Sequence, residues 1–129
     1  MIRRIEGLPR EVFALELSGR ITRDEVEEAM NLFDTTISES YYMAFFLDFL
    51  PNSQDISNLS NDIRFNNRLS LRGRTKRFAV AGNKKWRKIF DEISGFICCE
   101  ARMFDSGHRN EAVSWLLTAP FLNAHDDDF

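Results

Sequence analysis

Cysteine and histidine are almost absent from this 129-residue chain. The two cysteines, Cys98 and Cys99, are adjacent. A neighbouring pair closes a strained ring, so it makes a poor structural disulfide. Two thiols in a chain of this size point to a reducing, cytoplasmic compartment. His108 and His125 lie far apart. Neither stands at helical spacing from another ligand type, so no metal and no cofactor are expected. There is no Gly-x-Ser-x-Gly elbow, no Walker loop and no dinucleotide fingerprint. No residue set names a reaction, and a non-catalytic role is expected. Long apolar runs are missing too. No stretch approaches the ~20 residues of a transmembrane segment, and Met1-Ile2-Arg3-Arg4 runs into Glu6 and Gly7 without the pattern of a signal peptide.

Acidic residues are missing from one window. Between Arg64 and Lys88 stand ten basic residues and no Asp or Glu. With 17 basic and 20 acidic residues in all, the window carries +10 and the remainder −13. The overall charge of −3 argues against wholesale binding of nucleic acid. The asymmetry can still steer an anionic partner toward one surface. Hydrophobic residues are 43% and charged residues 29%, the mix of a soluble globular protein. The length suits one domain, expected over residues 1–120, with 121–129 as an acidic tail.

Ile2 to Leu8 and Val12 to Leu17 read as two strands joined by a Leu-Pro-Arg-Glu turn, hence antiparallel. Phe13, Leu15 and Leu17 share one face; Val12, Ala14 and Glu16 share the other. Thr22-Arg23-Asp24-Glu25 is a capping box, and Val26, Met30, Phe33 and Ile37 give one buried helix face over about 23–38. Tyr42 to Leu50 is nearly all apolar, as in a strand buried on both faces. Its single charge is Asp48, near the carboxyl end. Asp55 can cap a second helix over about 56–72. Lys76 to Ala81 is another strand, and Asn83 can cap a third helix with Trp86, Ile89, Phe90 and Ile93 inward and Gly95 as its stop. Cys98 to Phe104 is the last strand, with Glu100 and Arg102 outward. Asp105-Ser106-Gly107 opens a last helix that buries Ala112, Trp115 and Leu116. The order β-β-α-β-α-β-α-β-α implies an α/β fold with a five-stranded, mostly parallel sheet and about four helices.

Three segments carry a resemblance. They are Leu17-Ser18-Gly19-Arg20-Ile21-Thr22 before the acidic first helix; Lys76-Arg77-Phe78-Ala79-Val80-Ala81-Gly82-Asn83-Lys84-Lys85-Trp86; and Ala101-Arg102-Met103-Phe104-Asp105 followed by Glu111-Ala112 and Trp115-Leu116. In order and spacing the chain resembles the STAS fold of anti-sigma-factor antagonists and sulfate-transporter tails. More closely, it resembles the small bacterial SpoIIAA-like proteins. That resemblance implies no established enzyme activity. It implies a likeness to CRAL-TRIO lipid-binding domains, with a hydrophobic small molecule or a membrane as partner. In the anti-sigma antagonists an Asp-Ser pair after the third strand is phosphorylated. Here the stretch reads Asp48-Phe49-Leu50-Pro51-Asn52-Ser53-Gln54-Asp55-Ile56-Ser57. The dipeptide and its glycine are missing, which speaks against a phospho-switch; Ser53 and Ser57 are the nearest serines.

Two working surfaces are expected. On the 56–72 helix, Phe65 and Leu69 point away from the core, flanked by the stripe Arg64, Arg68 and Arg72. An outward Phe and Leu beside arginines suits an anionic lipid surface peripheral to the inner membrane face, or a homodimer contact. The second surface is the crevice beyond the carboxyl ends of the strands, rimmed by Ser18, Asp48, Ser53, Asn83, Lys84 and Trp86. The leading expectation is a binding module for a hydrophobic small molecule or an anionic membrane. Its rivals are a regulatory protein–protein module, self-associating or not, and a small enzyme built on Asp48.

Overall fold

The computed structural model describes residues 1–9, 11–37, 43–54, 75–97 and 99–118. Strand β1 (Ile2–Arg4) pairs antiparallel with β2 (Val12–Leu17), Ile2 opposite Leu17. Helix α1 (Arg23–Ile37) leads to β3 (Met43–Phe49), and β4 (Thr75–Ala81) lies on the far side of β3. A 3-10 turn (Lys84–Trp86) enters α2 (Arg87–Ile97), β5 (Glu100–Phe104) follows, and α3 (Arg109–Leu117) comes last. The sheet order is β1-β2-β3-β4-β5, with β2 through β5 parallel. This is the expected mostly parallel five-stranded α/β architecture. The expected second helix over 56–72, with Arg64, Phe65, Arg68, Leu69 and Arg72, lies outside the described residues. So do Ser57, Cys98, His125 and the tail.

Alternation on β2, β3 and β4 splits the core in two. Phe13, Phe45 and Phe78 are register partners on three neighbouring strands. They face Val26, Met30 and Phe33 of α1 and Ile89, Phe90 and Ile93 of α2. Phe13 meets Phe33 edge-on with ring centres 5.0 Å apart, and Phe45 lies 5.5 Å from Phe78. Such ring pairs add about 0.5–1.5 kcal/mol each beyond area burial. The capping box forms at the head of α1. The Glu25 amide donates to Thr22 Oγ1 at 3.2 Å, and the Thr22 amide donates back to Glu25 Oε1 at 3.1 Å.

On the opposite face Ala14, Ala44, Ala79 and Ala81 surround Phe46 and receive Ala112 and Leu116 of α3. These small residues bring the helix close to the sheet. Its carboxyl end is then within reach of Arg77 on β4. Arg77 Nη1 donates to the Trp115 carbonyl at 2.5 Å and to Thr118 Oγ1 at 3.1 Å. The Arg77 guanidinium lies over the Trp115 ring at 4.4 Å, and its Nε pairs with Glu100. Trp115 is accordingly half-buried under this clamp, while Ala112 and Leu116 are fully inward.

Three boundaries differ from expectation. β1 stops at Arg4, because the chain turns through Gly7 at φ +82° before Pro9. Helix α2 runs through Gly95 to Ile97. A mid-helix glycine costs about 1 kcal/mol relative to alanine, and the buried stripe Ile89–Ile93 outweighs that. β5 begins at Glu100, so Cys99 precedes the strand.

Candidate functional site

Glu16 and Asp48 are opposite one another in the register of β2 and β3, near the carboxyl end of the sheet. Both point to the alanine face. Two carboxylates on adjacent strands repel, and burial raises the cost of their charge. The first residue of α3 answers both. Arg109 Nε donates to Asp48 Oδ2 at 2.7 Å, and Arg109 Nη2 donates to Glu16 Oε2 at 2.5 Å. Arg3 of β1 donates to the other Glu16 oxygen at 2.7 Å. Asp48 Oδ1 is buried and finds no hydrogen-bond partner.

The two acids are shifted in opposite directions. Burial pushes Asp48 above the ordinary aspartate value, against the pull of Arg109; the neighbouring Glu16 charge pushes the same way as burial. The hydrogen bond from Arg109 leads in holding Glu16 below the ordinary glutamate value, despite its desolvation, and Arg3 assists. The two carboxylates raise Arg109 further, although its own burial works against them. Outside the cluster lies a depression of about 570 Å³, walled by Arg3, Arg4, Ile5, Glu6, Glu16 and Arg109. Asp48 sits behind Arg109 and is not part of that wall. The arrangement therefore works as a clamp on the amino end of α3.

A second feature lies where β4 leaves the sheet. Gly82 follows Ala81, and Trp86 turns inward to stack on Phe49, ring centres 4.2 Å apart. A Cβ on Gly82 would stand 3.0 Å from Trp86 Cδ1, so glycine is what lets the indole pack here. The Lys85 amide donates to Asn83 Oδ1 at 3.2 Å, capping the turn. With Trp86 fully buried, Asn83, Lys84, Lys85, Arg87 and Lys88 are all exposed. Four cations in five residues are thus displayed on one anchored turn. Lys85 Nζ donates to the Ser53 carbonyl at 2.7 Å, and Arg87 pairs with Asp91 at 3.2 Å.

The residues expected at the crevice divide among five places. Asn83 and Lys84 lie on the exposed turn. Trp86 is a core anchor on the aromatic face. Asp48 faces α3, buried beneath Arg109. Ser53 is buried, its hydroxyl donating to the Leu17 carbonyl at 2.6 Å, so it ties the loop after β3 to the end of β2. A hydroxyl so placed is not presented to a kinase. The Ser18 amide donates to the Met1 carbonyl in the β1–β2 ladder. Sequence reasoning passed over Glu16 and Arg109. The one signal was Asp48 itself, a lone charge in an apolar run that calls for a counter-charge.

Among the described residues, no three His, Cys, Asp or Glu side chains are grouped to hold a metal ion. No described helix is long and apolar enough to cross a membrane. No curated protein matches the chain. The model of the SpoIIAA-like family does match, over residues 12–117 of the 129, from β2 through α3, and with its mostly parallel STAS-type sheet the chain belongs to that family.

Proposed function

We propose that this chain is a non-catalytic binding module that sets its basic surface against anionic lipid headgroups at the inner face of a membrane. The observation that carries the reading is the anchored turn with Lys84, Lys85, Arg87 and Lys88 exposed around buried Trp86. Each basic residue near an anionic bilayer contributes about 1 kcal/mol. The net charge of −3 does not oppose this. Charges more than about 10 Å apart are largely screened at 0.1 M salt, so the local patch decides. The sequence extends the same charge back to Arg64, Arg68 and Arg72 beside Phe65 and Leu69, which belong to this proposal as the apolar part of the contact. A non-catalytic role is supported by the Asp48 carboxyl being sealed behind Arg109. The hydrophobic small molecule is the lesser form of the reading, since three surface depressions walled by described residues each include charged side chains.

Co-sedimentation with phosphatidylglycerol vesicles tests the proposal. Binding is expected at low salt and is expected to fall as salt rises. It should be absent with phosphatidylcholine, and at least about tenfold weaker for Lys84→Glu/Lys88→Glu. No binding to the anionic vesicles at low salt would overturn it, as would equal binding by the variant. The rival, a regulatory protein–protein module of the anti-sigma-antagonist type, draws its support from the STAS-type family membership.

A further inference from the structure

The sheet has two edges, and they are unlike. β1 is three residues long and presents Arg3 and Arg4, so a second copy meeting it there would bring like charges together. β5 is longer, reads Glu-Ala-Arg-Met-Phe, and contains no proline or lysine to blunt it. Among the described residues no strand pairs with its outer edge.

The backbone sense of β5 follows from one bond. The Gly82 amide donates to the Phe104 carbonyl at 3.0 Å, so Phe104 turns its polar backbone groups toward β4. Strand alternation then turns those of Arg102 and Glu100 the same way. The amides and carbonyls of Ala101 and Met103 turn outward. The side chains alternate as well. Glu100 and Arg102 lie opposite Arg77 and Ala79, on the alanine face. Ala101 and Met103 lie opposite Phe78 and Val80, on the aromatic face. Arg102 is exposed, with its guanidinium over the ring of Phe104, 5.1 Å from its centre.

We infer that a second copy of this chain pairs antiparallel with β5, with Ala101 on the two-fold axis. Five symmetric registers centre on a β5 residue and use the outward backbone groups. Centring on Met103 sets Arg102 against the partner's Phe104, and centring on Phe104 sets that ring against its own copy. Centring on Arg102 sets arginine against arginine. Placing Glu100 opposite itself sets glutamate against glutamate. Centring on Ala101 sets each Glu100 opposite the partner's Arg102, and the partner's Glu100 opposite Arg102. Only this register pairs opposite charges directly across the strands. It makes Ala101 a hydrogen-bonded pair with its own copy and puts Met103 opposite the partner's Cys99 on the aromatic side. The contact is self-complementary, as a two-fold dimer requires. The two sheets become one of ten strands, and Arg77, Glu100 and the partner's Arg102 become one charge chain. This inference is independent of the membrane reading: β5 lies at the sheet edge, and the lipid proposal rests on the turn after β4.

Sedimentation velocity across a dilution series, with native mass spectrometry, gives the test. The wild-type chain is expected to be a dimer that dissociates on dilution. Arg102→Glu replaces two attractive contacts with two repulsive ones and should weaken self-association about tenfold. Glu100→Arg should do the same, and mixing the two variants should restore a dimer, because every cross-strand contact is then again between opposite charges. Ala101→Pro removes an outward amide on an edge strand, where proline is tolerated; it should leave a folded monomer by circular dichroism. In the wild type, exchange of the Ala101 and Met103 amides should slow as concentration rises, a readout that needs no variant. A wild-type chain that stays monomeric throughout would overturn the inference. So would a dimer that persists in Ala101→Pro, or a mixture of the charge variants that associates no better than either alone.

Discussion

Phe13, Phe45 and Phe78 stand on one side of β2, β3 and β4; Ala14, Ala44 and Ala79 stand one position along, on the other. The first side is filled by ring volume, and α1 and α2 cover it with apolar contacts. The second has little volume to offer, so α3 comes close, and the polar ends of that helix come within reach of side chains on the sheet. Arg77 takes its carboxyl end, and Asp48 with Glu16 takes Arg109 at its amino end. Small residues on a sheet thus do more than save space. They set the distance at which charged clamps can act, and the clamps supply the orientation that large apolar side chains supply on the other face.

Substitutions can break this comparison one face at a time. The largest effect is expected on the aromatic side: Phe45→Ala should cost about 3–5 kcal/mol by urea unfolding, because a ring touching Phe13, Phe33 and Phe78 leaves a cavity. On the alanine side the damage should come from added volume. Ala79→Leu should cost about 1–3 kcal/mol by pushing α3 off the sheet. Arg109→Met should cost about 2 kcal/mol near neutral pH, since it leaves two carboxylates without their shared cation; Arg109 is partly exposed, which keeps the value below that of a fully buried pair. That loss should shrink as the pH is lowered and the acids protonate. Gly82→Ala should cost about 1–2 kcal/mol through the clash with Trp86 and Phe49, read from the same unfolding curves.

The smallest effect sharpens the comparison most finely. Aspartate ordinarily titrates below glutamate. Here carboxyl-carbon NMR should find Asp48 above its usual 3.8 and Glu16 below its usual 4.5. The signs for stability are then opposite. Glu16 contributes stability that is full above 4.5 and is lost as pH falls through its lower folded-state value. Asp48 contributes stability that is full below 3.8 and is lost as pH rises through its higher folded-state value. Asp48→Asn should therefore flatten the decline in stability between 3.8 and the higher folded-state value of Asp48. A variant profile identical to the wild type would show that burial of Asp48 carries no such cost.

Much of the fold was legible because it is written locally. Thr22 and Glu25 are three residues apart and form their capping box as the spacing requires. Trp86, Ile89, Phe90 and Ile93 share a helix face and are all buried. Gly95 misled as a helix stop, because a local propensity of about 1 kcal/mol yields to the packing of a whole face. The charged clamp was not legible. Arg109 lies 61 positions from Asp48 and 93 from Glu16, and no periodicity connects residues so distant. The basic turn fell between the two cases. Its charges and its Asn83 cap were plain in the sequence, but the inward turn of Trp86 that exposes those charges together depends on Phe49 and Gly82.

The central claim is that the carboxyl-end turn, and not the α3 face, meets an anionic bilayer. Amide spectra of the labelled protein with phosphatidylglycerol vesicles carrying a paramagnetic lipid read this directly. The account predicts that the amides of Asn83 to Lys88 broaden strongly at low salt, while those of Ala112 to Leu116 stay sharp. Broadening centred on α3, or none anywhere at low salt, would contradict it.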